Sequence, residues 1–172
     1  SMASNIDWRN IPAAIWRGRS GTLRPVSRPD PVRLEDLLGI DTQKAKILQN
    51  TERFLRGEPC NHVLLWGSRG TGKSSIVKAL LNEYAPRGLR VIEVDKDDLQ
   101  DLPDIVDDIR ERSQRFIVYC DDLSFEDGEN QYKHLKSVLE GSLELPPDNV
   151  RLYATSNRRH LVPEYMKDNE QS

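Results

Sequence analysis

The sequence predicts a three-layer α/β fold with a parallel sheet, and three observations predict it. Residues 67–74 fit the phosphate-loop pattern G-x-x-x-x-G-K-[ST], between an apolar run and an amphipathic segment. Apolar runs of strand length then alternate with amphipathic segments of helical period. Two acids, Asp121 and Asp122, end one of the apolar runs. Such alternation is typical of a parallel sheet covered by helices, whose ligand lies at the carboxyl ends of the strands.

The pattern at 67–74 has the residue types that a phosphate site requires. Its glycines let the backbone turn and approach a ligand closely, so that successive amide groups form a nest for an anion. The helix predicted to follow adds its unpaired N–H groups and the positive end of its dipole. Lys73 supplies a charge for the β- and γ-phosphates and shares in catalysis, and the Ser74 hydroxyl is placed to bind Mg²⁺. We assign nucleotide binding to Gly67, Ser68, Arg69, Gly70, Thr71, Gly72, Lys73, Ser74 and Ser75.

Polar side chains at two further strand ends complete the predicted site. Asp121 follows a continuous apolar run, and a carboxylate there can hold Mg²⁺ beside the phosphates. Asp122 can orient or deprotonate an attacking water. Asn157 ends another apolar run, and its neutral amide can position that water or contact the γ-phosphate. Each of these signals is also found at ordinary strand-end turns, so the prediction depends on the phosphate loop.

Composition limits the class of protein. The 172 residues suffice for one domain with a real core. A formal net charge of −3 gives no overall positive field, so composition does not support nucleic acid as a partner, although it stays open. The two cysteines argue against a disulfide framework and fit a reducing cytoplasm. Because no apolar run has membrane length, we expect no membrane contact.

Residues 1–33 form a lead segment distinct from the core predicted at 34–172. Apolar residues from Trp8 to Trp16 fall near helical spacing and predict a short amphipathic piece, and the Gly- and Pro-containing stretch 18–31 predicts an extended loop. From Arg9 to Arg33 there are six arginines and one acid. We interpret the segment as a solvated basic arm, with docking onto an acidic surface of its own or another subunit as the alternative.

The remaining elements follow from apolar periodicity. The pattern predicts strands at 62–66, 89–94, 116–120 and 150–155, and helices at about 42–56, 76–84, 102–109 and 132–143. The continuously apolar run at 116–120 predicts a strand buried on both faces. The acid-rich outer face of the 102–109 helix is interpreted as a solvated face, with a metal cluster as the alternative.

These motifs resemble those of AAA+ ATPases, which are P-loop NTPases, and the resemblance covers about residues 34–164. It is strongest to a family of uncharacterised bacterial AAA+ ATP-binding proteins. The matching stretches are GSRGTGKS at 67–74 (the Walker A motif), FIVYCDD at 116–122 (Walker B), LKSVLEGS at 135–142 and ATSNRRHLVPE at 154–164, which contains the sensor 1 strand. The resemblance also implies adenine contacts at Gly39 and Ile40.

The resemblance implies an ATPase that binds ATP or ADP with Mg²⁺ and hydrolyses ATP to drive remodelling of an unknown protein partner. The alternative is a nucleotide-dependent switch or scaffold with little hydrolysis. A GTPase is not supported, because the guanine-reading pattern N-K-x-D does not occur. Full-length relatives are expected to form homo-oligomers, whereas this chain is expected to be monomeric.

Two departures from the family pattern qualify these expectations. Walker B ends in Asp-Asp rather than Asp-Glu, and the shorter Asp122 predicts slow hydrolysis. The family's last strand and helical lid are not recognised after Asn157, which predicts a core that is incomplete at its carboxyl end. The absent strand would leave a sheet edge beside the Walker A strand. We expect the basic arm to cover that edge.

Overall fold

Within the described part of the chain, six β-strands form one sheet. The structure is a computed structural model that describes residues 5–37, 41–67, 73–123, 128–140 and 143–157. The sheet order is β2-β1-β4-β5-β6-β3, and every neighbouring pair is parallel except β1–β2. The strands are β1 (Ala13–Arg17), β2 (Thr22–Val26), β3 (Val63–Gly67), β4 (Leu89–Glu93), β5 (Arg115–Leu123) and β6 (Val150–Asn157).

Helices cover both faces of this sheet. The core on one face contains α3 (Leu102–Ile109) and α4 (Gly128–Glu140), and the core on the other contains α1 (Asp41–Leu55) and α2 (Lys73–Tyr84). Residues of β5 alternate between the two cores and are buried on both sides, as its apolar run predicts. The predicted three-layer α/β fold is therefore confirmed, and the sheet is parallel except at the β1–β2 pair.

The lead segment differs from its prediction. Residues 13–17 and 22–26 form an antiparallel hairpin, so the predicted amphipathic helix and extended loop are wrong there. Alanines 13 and 14 contribute to opposite cores, which is the two-residue period of a strand rather than the period of a helix. The turn closes through the Gly21 amide, which donates to the Arg17 carbonyl at 2.8 Å, and Gly21 takes a φ of 65° that glycine adopts without strain.

The hairpin joins the sheet at β4 and not beside β3, so the expectation that the arm covers the Walker A edge is wrong. The buried guanidinium of Arg90 on β4 contacts the chain that leads into this hairpin. It donates to the carbonyls of Trp8 at 2.6 Å and Arg9 at 3.0 Å, and thereby fixes the chain that enters β1. The Trp16 indole N–H also donates to Asp101 at 2.9 Å. The arm is thus docked onto the chain's own fold.

The other predicted elements lie within a few residues of their observed bounds, and the largest difference is in α4. That helix ends at Glu140, and Leu143, which the pattern placed at its end, is 99% exposed. On α3, Asp104 and Asp107 are exposed, as expected for a solvated acidic face. None of the helices in the described ranges has both the length and the apolar character that a membrane crossing requires.

A buried polar contact connects α1 to β6. The Tyr153 hydroxyl lies 2.7 Å from the Thr51 hydroxyl and accepts from the Asn50 amide at 3.1 Å. The Thr51 hydroxyl also donates to the Ile47 carbonyl at 2.8 Å. Because a buried polar group without a partner is costly, these bonds favour one placement of α1 on the sheet.

Candidate functional site

Three neighbouring strands end at the same edge of the sheet. β6 lies between β5 and β3, with Gly67 of β3 opposite Asn157 and Leu123 of β5 opposite Ser156. The carboxyl end of β3, which leads into the predicted Walker A motif, therefore lies beside β6, the predicted sensor 1 strand. The acids of the predicted Walker B motif lie on the other side of β6. This is the edge at which parallel α/β sheets bind ligands.

The described residues include only part of the predicted site. Gly39, Ile40 and the loop residues 68–72 lie outside them, and so do the side chains of Lys73, Ser74 and Asn157. The backbone is described on both sides of the loop, where β3 ends at Gly67 and α2 begins at Lys73. A strand thus precedes this sequence pattern and a helix follows it, as the pattern requires. Ser75 is half-buried in the first turn of α2.

The acids at the end of β5 lie on a β-bulge. Cys120 pairs with Ala154 and Leu123 with Ser156, so β5 has one more residue than β6 between these pairs. Asp122 takes a φ of 61°, in the left-handed region that aspartate enters more readily than most residues. Bulges and left-handed residues that are not glycine are enriched at functional sites. The bulge makes the local geometry of Asp121 and Asp122 different from that of a regular strand.

Thr155 on β6 holds the bulge in place. Its hydroxyl donates to Oδ1 of Asp121 at 2.5 Å and accepts from the Asp122 amide at 2.8 Å. Thr155 is 2% exposed. Sequence reasoning assigned it no role, although a hydroxyl inside a buried strand needs a partner. That requirement is the signal by which Thr155 could have been found.

The groups around the two acids are one half-exposed cation and two buried side chains. Lys96 Nζ lies 3.9 Å from Oδ2 of Asp122, and both side chains are about half exposed, so this pair contributes little. The buried Tyr119 hydroxyl has no hydrogen-bond partner among the described residues. Burial, and then the charge of Asp121, raise the pKa of Tyr119. Burial likewise raises the pKa of the Cys120 thiol to about 12. Both groups are therefore neutral beside the site.

The edge has donors that suit a hard cation. Asp121 is exposed at the end of β5, and Thr155 donates to its Oδ1. A carboxylate oxygen is a ligand that Mg²⁺ prefers. The described residues contain no group of three or more His, Cys, Asp or Glu side chains that could hold a metal by themselves. A carboxylate that binds Mg²⁺ together with substrate phosphates fits this arrangement.

Curated proteins match part of this chain. A 76-residue stretch is 36% identical to the "Replication factor C large subunit" of Staphylothermus marinus and covers 44% of this chain and 17% of that protein. A 79-residue stretch is 38% identical to the "26S proteasome regulatory subunit 6B homolog" of Schizosaccharomyces pombe and covers 41% of this chain and 20% of that protein. The matches thus span a fifth or less of these relatives.

Among solved structures, the chain is similar to AMPPCP-bound DnaA from Aquifex aeolicus, with 22% identity and a TM-score of 0.46 over 74% of this chain and 42% of that one. A mutant RuvB from Thermotoga maritima has 20% identity and a TM-score of 0.44 over the same shares. The family model described as "Protein of unknown function (DUF815)" matches residues 9–172, nearly the whole chain. The chain therefore belongs to this uncharacterised family, which confirms the resemblance to an uncharacterised AAA+ family.

Proposed function

We propose that this chain is an ATP-binding AAA+ module that hydrolyses ATP with Mg²⁺ and uses the reaction to change the conformation of a macromolecular partner. The observation that carries the proposal is the shared edge of β3, β6 and β5. It places the strand that leads into the phosphate-loop pattern on one side of β6 and the strand whose end bears two carboxylates on the other. The segment matches to AAA+ proteins support the same class.

Each predicted residue has a distinct task in this proposal. Backbone amides of 67–75 and the Lys73 ammonium group bind the β- and γ-phosphates, and Gly39 and Ile40 lie beside the adenine. Ser74 and Asp121 would hold Mg²⁺, which when bound offsets charge on the phosphate oxygens. Positioning and electrostatic stabilisation of this kind supply most of the catalysis in phosphoryl transfer.

Asp122 acts on the water. A water held by Asp122 and Asn157 attacks the γ-phosphorus in line; its oxygen forms the new P–O bond, and the bond to the bridging oxygen of ADP breaks. The Asp122 carboxylate accepts the proton that the water loses. Asp122 is suited to this task because its side chain is about half exposed at the strand edge. The second candidate, a switch with little hydrolysis, is favoured by the short Asp-Asp pair.

Lys73→Ala tests nucleotide binding. We expect the dissociation constant for MgATP to rise about 10- to 100-fold, because a charge-assisted hydrogen bond to phosphate contributes about 1.5–3 kcal/mol. Titration calorimetry measures the change. Lys78→Ala is the matched control: this lysine is on the same helix, but it is half exposed and pairs with Asp30 at 3.2 Å. Wild-type protein that gives no heat with MgATP, or equal affinity for all three proteins, would contradict the proposal.

We also propose that the full-length protein forms homo-oligomers, as the AAA+ resemblance implies, and acts on a protein partner in the cytoplasm. The two cysteines, Cys60 and Cys120, are both free thiols, which supports a reducing compartment. We expect ATP to increase the molar mass of the full-length protein. Light scattering with and without ATP measures this, and an unchanged monomer mass at micromolar protein would contradict it.

A further inference from the structure

We propose that Thr155 is a positioning residue that holds both carboxylates of the β5 end in their working geometry, so that it controls hydrolysis more than nucleotide binding. The proposal rests on the function proposed above. Nothing in the phosphate-loop or Walker B patterns identifies Thr155, since it lies on a different strand from either motif.

The Thr155 hydroxyl makes two hydrogen bonds at the end of β5. A threonine hydroxyl has one proton to donate, and Thr155 donates it to Oδ1 of Asp121 at 2.5 Å. The Thr155 hydroxyl oxygen, Oγ1, in turn accepts the amide proton of Asp122 at 2.8 Å. One group on β6 therefore fixes the side chain of the first acid and the backbone of the second. A hydrogen bond to a charged carboxylate is stronger than one between neutral groups.

The backbone at Asp122 requires such a contact. A left-handed residue that is not glycine persists only where its surroundings hold it, and the bulge interrupts the regular ladder between Cys120 and Leu123. The Thr155 hydroxyl replaces part of that ladder by accepting the Asp122 N–H. Without the hydroxyl, we expect the bulge to relax and both acids to move relative to the phosphate-loop strand.

Thr155 also links the two sides of the site. The β3 strand lies on the other side of β6 from the acids. There the backbone of Thr155 pairs with Leu65 of β3, and Thr155 comes two residues before Asn157 in β6. A shift of the β6 end would therefore move both acids, because the Thr155 side chain connects β6 to them. This placement makes Thr155 a connection between the nucleotide strand and the acids.

Three variants test the proposal. Thr155→Val keeps the side-chain shape and removes the hydroxyl, whereas Thr155→Ser keeps the hydroxyl. Thr51→Val is the matched control, because Thr51 is also a buried threonine with two hydroxyl contacts, but these are to Ile47 and Tyr153 rather than to the acids. The measurements are steady-state phosphate release at varied Mg²⁺, ATP affinity by calorimetry, and the exchange rate of the Asp122 amide proton by NMR.

We expect Thr155→Val to lower phosphate release about tenfold or more, the equivalent of one charge-assisted hydrogen bond. We also expect it to raise the Mg²⁺ concentration at half-maximal rate, to speed exchange of the Asp122 amide and to leave ATP affinity within about twofold. Thr155→Ser should restore the rate and the amide protection, and Thr51→Val should lower the melting temperature without changing the Mg²⁺ dependence.

Unchanged amide exchange and rate in Thr155→Val would overturn the proposal. A loss that Thr155→Ser does not restore would overturn it as well, because the methyl packing would then explain the effect. If wild-type protein releases no phosphate, the proposed hydrolysis is wrong, whatever the role of Thr155. Two comparisons of wild type with Thr155→Val then decide whether Thr155 holds the acids. They are the exchange rate of the Asp122 amide proton and the Mg²⁺ concentration needed to tighten ADP binding.

Discussion

Asp122→Asn is expected to lower steady-state phosphate release about 10²–10⁴-fold, the contribution of a positioned general base, while MgATP binds as before. Asparagine keeps the shape of the side chain and removes the group that accepts a proton. It also tolerates the left-handed φ of 61° that Asp122 adopts. Alanine is a poorer choice, because a left-handed conformation costs it about 1–2 kcal/mol and adds a folding defect.

A phosphate-release assay with and without Mg²⁺ measures the effect, and calorimetry checks that binding is retained. Asp104→Asn is the control, since Asp104 is an exposed aspartate on α3, outside the strand edge. Equal and negligible rates in wild type and Asp122→Asn, with normal ATP binding in both, would contradict hydrolysis. That outcome would support the nucleotide-dependent switch.

The largest change in stability is expected for Arg90→Met. Arg90 is 7% exposed, and its guanidinium donates to four backbone carbonyls: those of Trp8, Arg9, Ala85 and Leu89. Methionine has a similar length but donates nothing, so the carbonyls lose these bonds, at about 1–3 kcal/mol for each buried group left unsatisfied. The Ala85 carbonyl keeps the Gly88 amide as a donor. We expect a total loss of roughly 3–5 kcal/mol, because only two of the four bonds are fully buried.

Chemical and thermal denaturation measure this loss, and a melting temperature lower by about 6–20 °C is expected from the size of the chain. Amide exchange should also accelerate in residues 8–17, which Arg90 and β4 hold. Arg87→Met is the matched control, because Arg87 is about half exposed and its nearest carboxylate contact, to Glu52, is 4.0 Å long. If Arg90→Met and Arg87→Met have the same melting temperature, Arg90 does not anchor the lead segment.

The core of the fold could be predicted from sequence because its local signals agree with its tertiary environment. The run at 116–120 is apolar without interruption, and β5 is buried on both faces there. The apolar residues of α3 repeat at helical spacing, and Leu102, Ile105, Val106 and Ile109 are its buried residues. Long periodic segments of this kind leave few alternatives.

The hairpin could not be predicted in the same way, because its placement depends on distant residues. Trp8 and Trp16 have near-helical spacing, but Trp8 packs edge-to-face on Phe116 and Trp16 donates to Asp101. These contacts override the local period. Within the site, the strand ends could be predicted from the motifs, whereas the bulge and the bond from Thr155 arise only when β5 and β6 pair.

The position of β3 has a consequence for folding during synthesis. Among the described strands, β3 pairs only with β6, which emerges from the ribosome after all the others. Pairing between distant segments is slow, because the loop between them must close first. Until β6 has been made, a nascent chain therefore carries the apolar β3 without a pairing partner among the described strands, the kind of exposed segment that invites aggregation and chaperone binding. Of the pairings between the described strands, those of β6 with β3 and β5 are the last that can form.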